Sequence, residues 1–536
     1  MNLHITKSKN AESFYICRSY AKDNGSTTST IVRKLGTLEN LLIEHGPTRD
    51  DVIAWAKNEV KAETEKYKKE KEAKTLLIPF HTDRPLDYDK QVFFRGGYLF
   101  PQSVYYQLQM NKVCRKLKQK YKFKYDINAI LSDLIYTRIL DPCSKRSSFR
   151  TAHEFLEKPS YELHDVYRAL DVIGSECDLI QADVYKNSHF LGKRNDKILY
   201  YDCSNYYFEI EQEDGIKKYG KSKEHRPNPI IQMGLFMDGD GIPLAFSLFS
   251  GNSNEQTSLK PLEQKILEDF EYQKFIYCSD AGLGFEFIRE YNHMWERTYI
   301  VTTFIKKLKK GEKEWVLSPQ GFKRVSDDKT VDISKLPEDD KGLYYKDEPY
   351  TTKKLQQRLI ITYSPKYALY QKSIRSKQIE RAQAMLDSGN TKKNRRNPNN
   401  SARFIGTAAV TKESETADIR HYLDEHKISE ESQYDGLYAV CTNLSDDEVS
   451  DILKVSEGRW QIEECFRIMK TDFSARPVYL RDEKRIKAHF LICFLALMIY
   501  RFFGRKLNYK YTCEELLDTL KAMNFAEIQE QGFIPL

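Results

Sequence analysis

The stretch NPIIQMGLFMDGDGIPLAFSLFSGN, Asn228–Asn252, sets two apolar runs on either side of Asp-Gly-Asp-Gly. Turn-forming Asp and Gly between two β-rich runs are a strong signal for a hairpin. Upstream, KILYYDCSNYYFEI (Lys197–Ile210) reads as a further strand. Downstream, LKPLEQKILEDF (259–270), KFIYCSDAGLGFEFIREY (Lys274–Tyr291) and RTYIVTTF (Arg297–Phe304) read as helix, strand then helix, and strand. Neighbouring antiparallel strands followed by helices alternating with strands predict a mixed α/β sheet.

A chain of 536 residues exceeds one ordinary core and implies several domains or one large domain with an insertion. The 85 basic and 78 acidic residues leave a net charge of +7, too mild for so long a chain to identify a nucleic-acid partner by itself. Ten cysteines, from Cys17 to Cys513, form no CxxC pair, which points to free thiols in a reducing cytoplasm and away from a disulfide frame or zinc site. The opening MNLHITKSKN carries no secretory pattern. The apolar run HFLICFLALMIYRFF, His489–Phe503, is shorter than the roughly 20 residues of a membrane span and reads as a buried core helix, so no membrane partner is expected.

Six segments follow from the texture. Residues 1–84 read as a small sheet plus a charged linker helix, and 85–192 as a helical region. Residues 193–305 and 432–510 read as two parts of one α/β domain, split by a β-rich insertion at 306–431 that carries a basic helix and a polar loop; 511–536 is a tail. In the helical region seven Lys or Arg stand between Lys112 and Lys124 with Tyr121, Phe123 and Tyr125 interleaved. Such a segment is either a solvated basic helix or a surface for phosphate backbone.

Three carboxylates bear on function. Asp202 interrupts an apolar strand, where an ionised group is costly unless paired or metal-bound. Asp280 ends the run KFIYCSD and is followed by Ala-Gly-Leu-Gly, the end of a strand where α/β sheets favour ligands. Glu463 lies in SEGRWQIEECFRIMKTDF, Ser456–Phe473. At about 100° per residue, Ile462, Phe466, Met469 and Phe473 make one buried stripe, and Glu463 falls beside it among Arg459, Arg467 and Lys470. Each acid alone also fits a plain role: an edge-strand Asp facing water, a turn Asp, an i,i+4 ion pair. Together, oxygen ligands on two strands and a helix of one α/β unit suit a pair of divalent ions.

The motifs YYDCSNYYFE, GKSKEHRPNPIIQMGLFMDGDGIPLAFSLFSGN, SDAGLG and EGRWQIEECFRIMKTDFSARPVYLRDEKRIKAHFLICFLALMIYR occur in that order between about Lys197 and Phe503. Over this span the chain resembles bacterial insertion-sequence transposases of the DDE class, in the insertion-sequence-four superfamily with its Tyr-x2-Arg-x3-Glu-x6-Lys signature. The resemblance implies a ribonuclease-H-like mixed sheet with flanking helices, interrupted by a β-rich insertion and preceded by a small β and a helical DNA-binding region. It implies Asp202, Asp280 and Glu463 as catalytic and metal ligands for two magnesium ions, with manganese as the alternative ion. Arg459 and Lys470 stand at the signature's Arg and Lys and are DNA-phosphate candidates; the signature's Tyr falls on Ser456. Arg467 of the same strip, Lys223 and Arg226 before the hairpin, and Lys393, Arg395 and Arg396 in the polar loop are further DNA candidates, each with a solvated alternative. The expected partners are double-stranded DNA, as terminal inverted repeats and target, and a second copy of the chain in a synaptic homodimer. The expected location is the bacterial cytoplasm, at the nucleoid when DNA-bound. A catalytically silent DNA-binding relative, acting as a repressor of its element, and a structure-selective nuclease of the same fold are the alternatives.

Overall fold

The computed structural model describes residues 1–8, 11–21, 27–73, 93–255, 259, 275–337, 339–352, 354–389, 399–410, 418–528 and 532–536. They fall into two compact units, 1–90 and 91–536.

In the first unit, strands Asn2–Lys7, Glu12–Ala21 and Thr27–Thr37 pair antiparallel in sequence order. Helices Leu38–His45 and Arg49–Ala73 follow. Phe14 from the sheet meets Leu41, Val52 and Ala56 in a small core. The start of the stretch expected as a charged linker is therefore packed, because its few apolar residues fall at helical spacing ahead of the Lys/Glu-rich part.

The second unit is built on a ten-stranded mixed sheet. Its order is Thr330–Val331, Phe322–Arg324, Tyr344–Thr351, Gln356–Tyr363, Leu437–Thr442, Thr298–Thr302, Ile276–Ser279, Ile198–Tyr207, Ile230–Asp238, Pro243–Ser250. The Ile276–Ser279 strand runs parallel to both of its neighbours, and the recorded pairs outside that trio are antiparallel. The expected hairpin is there, closing at Asp238–Ile242. The helix read at 259–270 falls almost wholly outside the described residues.

Both faces are covered in the middle of the sheet, which is why strands such as Ile230–Asp238, Ile276–Ser279 and Thr298–Thr302 read as almost unbroken apolar runs. Alternation divides them: Tyr200, Tyr206, Met233, Leu235 and Cys278 join the helical side, whereas Leu199, Tyr201, Cys203, Phe236 and Tyr277 join the other core. Asp202 shares parity with Tyr200 and Tyr206, so it is carried on the helical face.

That face is roofed by the helix Glu483–Lys506, which packs on Leu163–Ser175, Ile127–Leu140 and Leu99–Gln107. It is long and apolar enough to cross a membrane, yet 83% of its most apolar window is buried inside the protein. A core helix that roofs the sheet, not a span, is the role its surroundings give it. The helices of the 85–192 region thus share one core with the C-terminal part of the chain.

The segment expected as an insertion divides in two. Its strands between 322 and 363 continue the central sheet, while Pro365–Asp387, the pair Ile405–Val410 and Asp418–Leu423, and Glu425–Ser432 gather around Ala382, Ala402, Phe404 and Ile405. The tail also has a place: Asn524–Ile528 pairs with both Gly532–Pro535 and Phe93–Arg95, joining the two ends of this unit in one small sheet.

Gly174 sets how closely the roof approaches. A Cβ there would overlap the carbonyl oxygen of Lys484 at the start of the long helix. Gly174→Ala is expected to force the helices apart and lower stability by about 1–3 kcal/mol, read as a lower urea midpoint. An unchanged midpoint would show that the contact yields freely.

Candidate active site

The site begins with strand register. Ile198–Tyr207 pairs in parallel with Ile276–Ser279 through Ile198↔Ile276, Leu199↔Tyr277 and Tyr200↔Cys278. Asp280 follows directly on the last residue of its strand, two positions past the final pair, and its charge acts on Asp202, two positions past Tyr200 on the neighbouring strand. Asp202 Oδ1 accepts the Cys203 N–H at 2.7 Å, and Asp280 Oδ1 accepts the Leu283 N–H at 2.9 Å. In the turn after Asp280, a Cβ at position 282 would sit 3.3 Å from Asp280 Oδ1, so Gly282 keeps the approach to that carboxylate open.

The Glu463 helix lies over this face. Tyr200 donates its hydroxyl to the Val455 carbonyl at 2.8 Å, which docks the helix Val449–Glu457 onto the Asp202 strand. Gly458 ends that helix where a side chain would strike the Tyr200 hydroxyl, and Trp460–Lys470 starts anew behind Arg459. The stripe falls where its spacing predicts: Ile462, Phe466, Met469 and Phe473 are buried. Cys465 and Ile468 are buried as well. The sequence reading treats 456–473 as one helix and so does not foresee the break.

Cations surround the aspartates. Burial pushes the Asp202 carboxyl up to about 7, opposed by Lys223 and reinforced by Asp280, with the Cys203 N–H and Arg459 lowering it. Lys223 Nζ donates to the Cys203 carbonyl at 2.5 Å and lies 3.5 Å from Glu255. Lys470 is only 14% exposed; its Nζ lies 3.6 Å from Glu224 and 5.4 Å from the Tyr206 ring centroid. Burial, then Lys223, pushes its ammonium down to about 8, against the pull of Asp202. Asp202, Asp280, Lys223, Arg459 and Lys470 thus form one electrostatic group.

Glu463 meets this group, among the described residues, only through Arg459. Its side chain is 62% exposed and its Oε1 lies 3.9 Å from an Arg459 guanidinium nitrogen. Among the described residues, no three His, Cys, Asp or Glu side chains are close enough to hold a metal ion. The two aspartates fit a hard divalent cation: their donors are all oxygen, and a shared positive charge would offset the burial, and with it the Asp280 charge, that raise Asp202. Glu463 completes an oxygen set only by turning from Arg459 towards them.

The other DNA candidates differ in what they already hold. Arg467 is engaged by Glu464 at 2.8 Å and Asp472 at 3.1 Å, so two acids take up its charge. Arg226 covers the Tyr207 ring at 4.9 Å. Lys393, Arg395 and Arg396 lie outside the described residues. In the Lys112–Lys124 segment, Lys116 pairs with Asp183 and Lys120 with Glu176, while Met110, Val113, Cys114 and Leu117 are buried beneath. Trp315 packs against the core under Lys346, as a structural Trp does.

Sequence reasoning passes over Trp460. It is 61% exposed and lines a hollow of about 320 Å³ with Arg459, Glu463, Ser456 and Tyr438. Lying three residues before Glu463 and off the buried stripe, it is visible on the helical wheel, but the carboxylate drew the reading. Tyr438 on its central strand has no local signal; only the fold brings it beside Ser456.

A family model described as the transposase DDE domain matches residues 203–499, which is 297 of the 536 residues, beginning one residue after Asp202. A cryo-EM structure of the piggyBac transposase synaptic complex with hairpin DNA is similar over 79% of each chain, with 7% identity and a TM-score of 0.39, too distant to carry an argument. No curated protein matches the chain.

Because Asp202 titrates near 7 in the fold and near 4 when unfolded, its contribution to stability is full below the unfolded value. It is lost as pH rises through the folded one. In chelator, Asp202→Asn is expected to raise the melting temperature more at about pH 8 than at about pH 5. Equal shifts at both pH values would contradict the account of a buried carboxyl held protonated in the fold.

Proposed function

The chain belongs to the transposase DDE domain family, and from that premise we propose that it is the transposase of a bacterial insertion sequence, acting in the cytoplasm. In this reading it binds the terminal inverted repeats of its element as a homodimer, cuts DNA at the element ends and joins the freed 3′-hydroxyls to target DNA. The observation that carries the reading is the interaction of Asp202 with Asp280 at the ends of neighbouring parallel strands, with Lys223 and Arg459 acting on the same carboxylate.

Asp202, Asp280 and Glu463 would hold two magnesium ions, or manganese, on a ribonuclease-H-like sheet. Ions bound there supply charge neutralisation for in-line phosphoryl transfer and favour the deprotonated attacking oxygen. The chain's own residues supply geometry. Arg459, at the start of the Glu463 helix, and Lys470, at its end, hold the phosphates on either side of the scissile bond, while Lys223 adds its charge beside Asp202 and Lys470. The low dielectric around Lys470 strengthens each such contact. Trp460 offers an exposed ring to a base unstacked at the cut. In place of the signature Tyr, Ser456 supplies a single hydroxyl, with Tyr438 in the same hollow.

One observation favours a second reading, a DNA-binding relative that does not cut: Glu463 rests beside Arg459, with no three-carboxylate cluster among the described residues. Labelled element ends with magnesium separate the two. We expect strand cleavage by the wild type, lost by at least about 10³-fold in Asp202→Asn, Asp280→Asn and Glu463→Gln, with binding retained. Binding without cleavage by the wild type would select the silent reading. Trp460→Ala is expected to slow cleavage by about 10-fold or more while leaving duplex binding nearly unchanged, as loss of one stacked base predicts.

A further inference from the structure

A second basic hollow lies where the chain leaves the Glu463 helix. It encloses about 750 Å³ and is lined by Arg138, Lys145, Arg476, Arg481, Arg485 and His489 among others. Asp482 is the one carboxylate among its described lining residues, and it caps the long helix by accepting the Arg485 N–H at 3.1 Å.

Several of these cations are already engaged. Arg485 is held by Asp171 at 2.7 Å, and Arg476 by Glu224. Arg138 is buried and donates to the carbonyls of Phe473, Ser474 and Cys143, which orient its charge without neutralising it. Lys145 is different. It is 6% exposed, and its ammonium has no hydrogen-bond acceptor among the described residues. Burial, then the Arg138 charge, pushes that ammonium down to about 7. An unpaired buried ammonium beside a second buried cation is costly, and a bound anion is the direct compensation. Lys145 also opens the helix Lys145–Ala152, and Ser144 and Ser147 line the same wall, with the Ser144 hydroxyl donating to Ser147 Oγ at 3.1 Å and accepting the Ser147 N–H.

We propose that this hollow is a phosphate-monoester pocket, taking a free phosphate or the 5′-phosphate at the end of a DNA strand, with Lys145 and Arg138 at its base and Arg481 at its rim. A terminal phosphate reaches a recessed ammonium, whereas a diester inside a strand must carry chain in both directions and stays at the mouth. Proximity to the aspartates favours the strand end. Val478 bridges to Phe208 just beyond the Asp202 strand, and Glu224 links Arg476 of this hollow to Lys470.

The test needs no cleavage, so it stands independently of the proposed activity. Full-length protein is melted in inorganic phosphate and in potassium chloride of equal ionic strength. Phosphate is expected to raise the melting temperature beyond chloride. Lys145→Met is expected to abolish that difference while melting no lower than wild type without phosphate, because it removes an unpaired buried charge. Should Lys145→Met fail to fold, Arg481→Ala at the exposed rim is expected to shrink the phosphate shift. Anisotropy with 5′-phosphorylated and 5′-hydroxyl oligonucleotides then identifies the source. A preference of about 10-fold for the phosphorylated end, lost in Lys145→Met, marks a strand-end pocket. A thermal shift without that preference marks a free-phosphate pocket. Phosphate no better than chloride, or a shift undiminished in Lys145→Met or in Arg481→Ala, would overturn the proposal.

Discussion

The hairpin turn at Asp238–Ile242 is the constraint on which the site depends. Asp238 is fully buried and forms an ion pair with Arg194 at 2.7 Å, both side chains having no exposure. Its other oxygen accepts the N–H groups of Asp240 and Ile242, while Arg194 also donates to Ser188 and to the carbonyls of Ile242 and Pro243. A buried pair with its remaining valences satisfied favours one arrangement over its neighbours, since breaking either partner strands the other's charge. The arrangement selected is a register, with Leu199 opposite Asp238 and Asp202 opposite Leu235. A slip of one residue would carry Asp202 to the other face of the sheet.

The same turn reaches the Glu463 helix. Gly241 adopts φ +77°, a conformation glycine enters freely, and a Cβ there would overlap Arg501 and Gln461. Into the space left, Arg501 of the roof helix donates to the Gly241 carbonyl at 2.7 Å and to Gln461 Oε1 at 3.0 Å. Strand register, roof helix and carboxylate helix are thereby tied at one point. The aspartates are then fixed by the sheet, and Glu463, in the first turn of a helix that restarts behind Gly458, is the carboxylate with freedom to swing.

Much of this was legible because it repeats with a period. Asp-Gly-Asp-Gly between apolar runs marked the hairpin, and the 3.6-residue spacing of Ile462, Phe466, Met469 and Phe473 marked the buried stripe beside Glu463. What escaped has no period. Phe322–Arg324 and Thr330–Val331 are too short, and Tyr344–Thr351 too polar, to announce that they extend the main sheet. Phe93–Arg95 gives no hint that it pairs with residues more than four hundred positions away. Arg467 belongs to the cationic strip on a wheel, yet Asp472, just past the helix end, helps take its charge. Lys145 and Arg138 look like ordinary basic residues until helix packing buries them together.

The central claim is that Asp202, Asp280 and Glu463 meet around metal ions when DNA is bound. Anomalous diffraction from a complex of the protein, manganese and an uncleaved element end tests it most directly. The account predicts ion density between Asp202 and Asp280, with a Glu463 oxygen brought to about 2.0–2.6 Å from an ion and Arg459 released to phosphate. Density elsewhere, or ions held by the aspartates while Glu463 remains on Arg459, would contradict it.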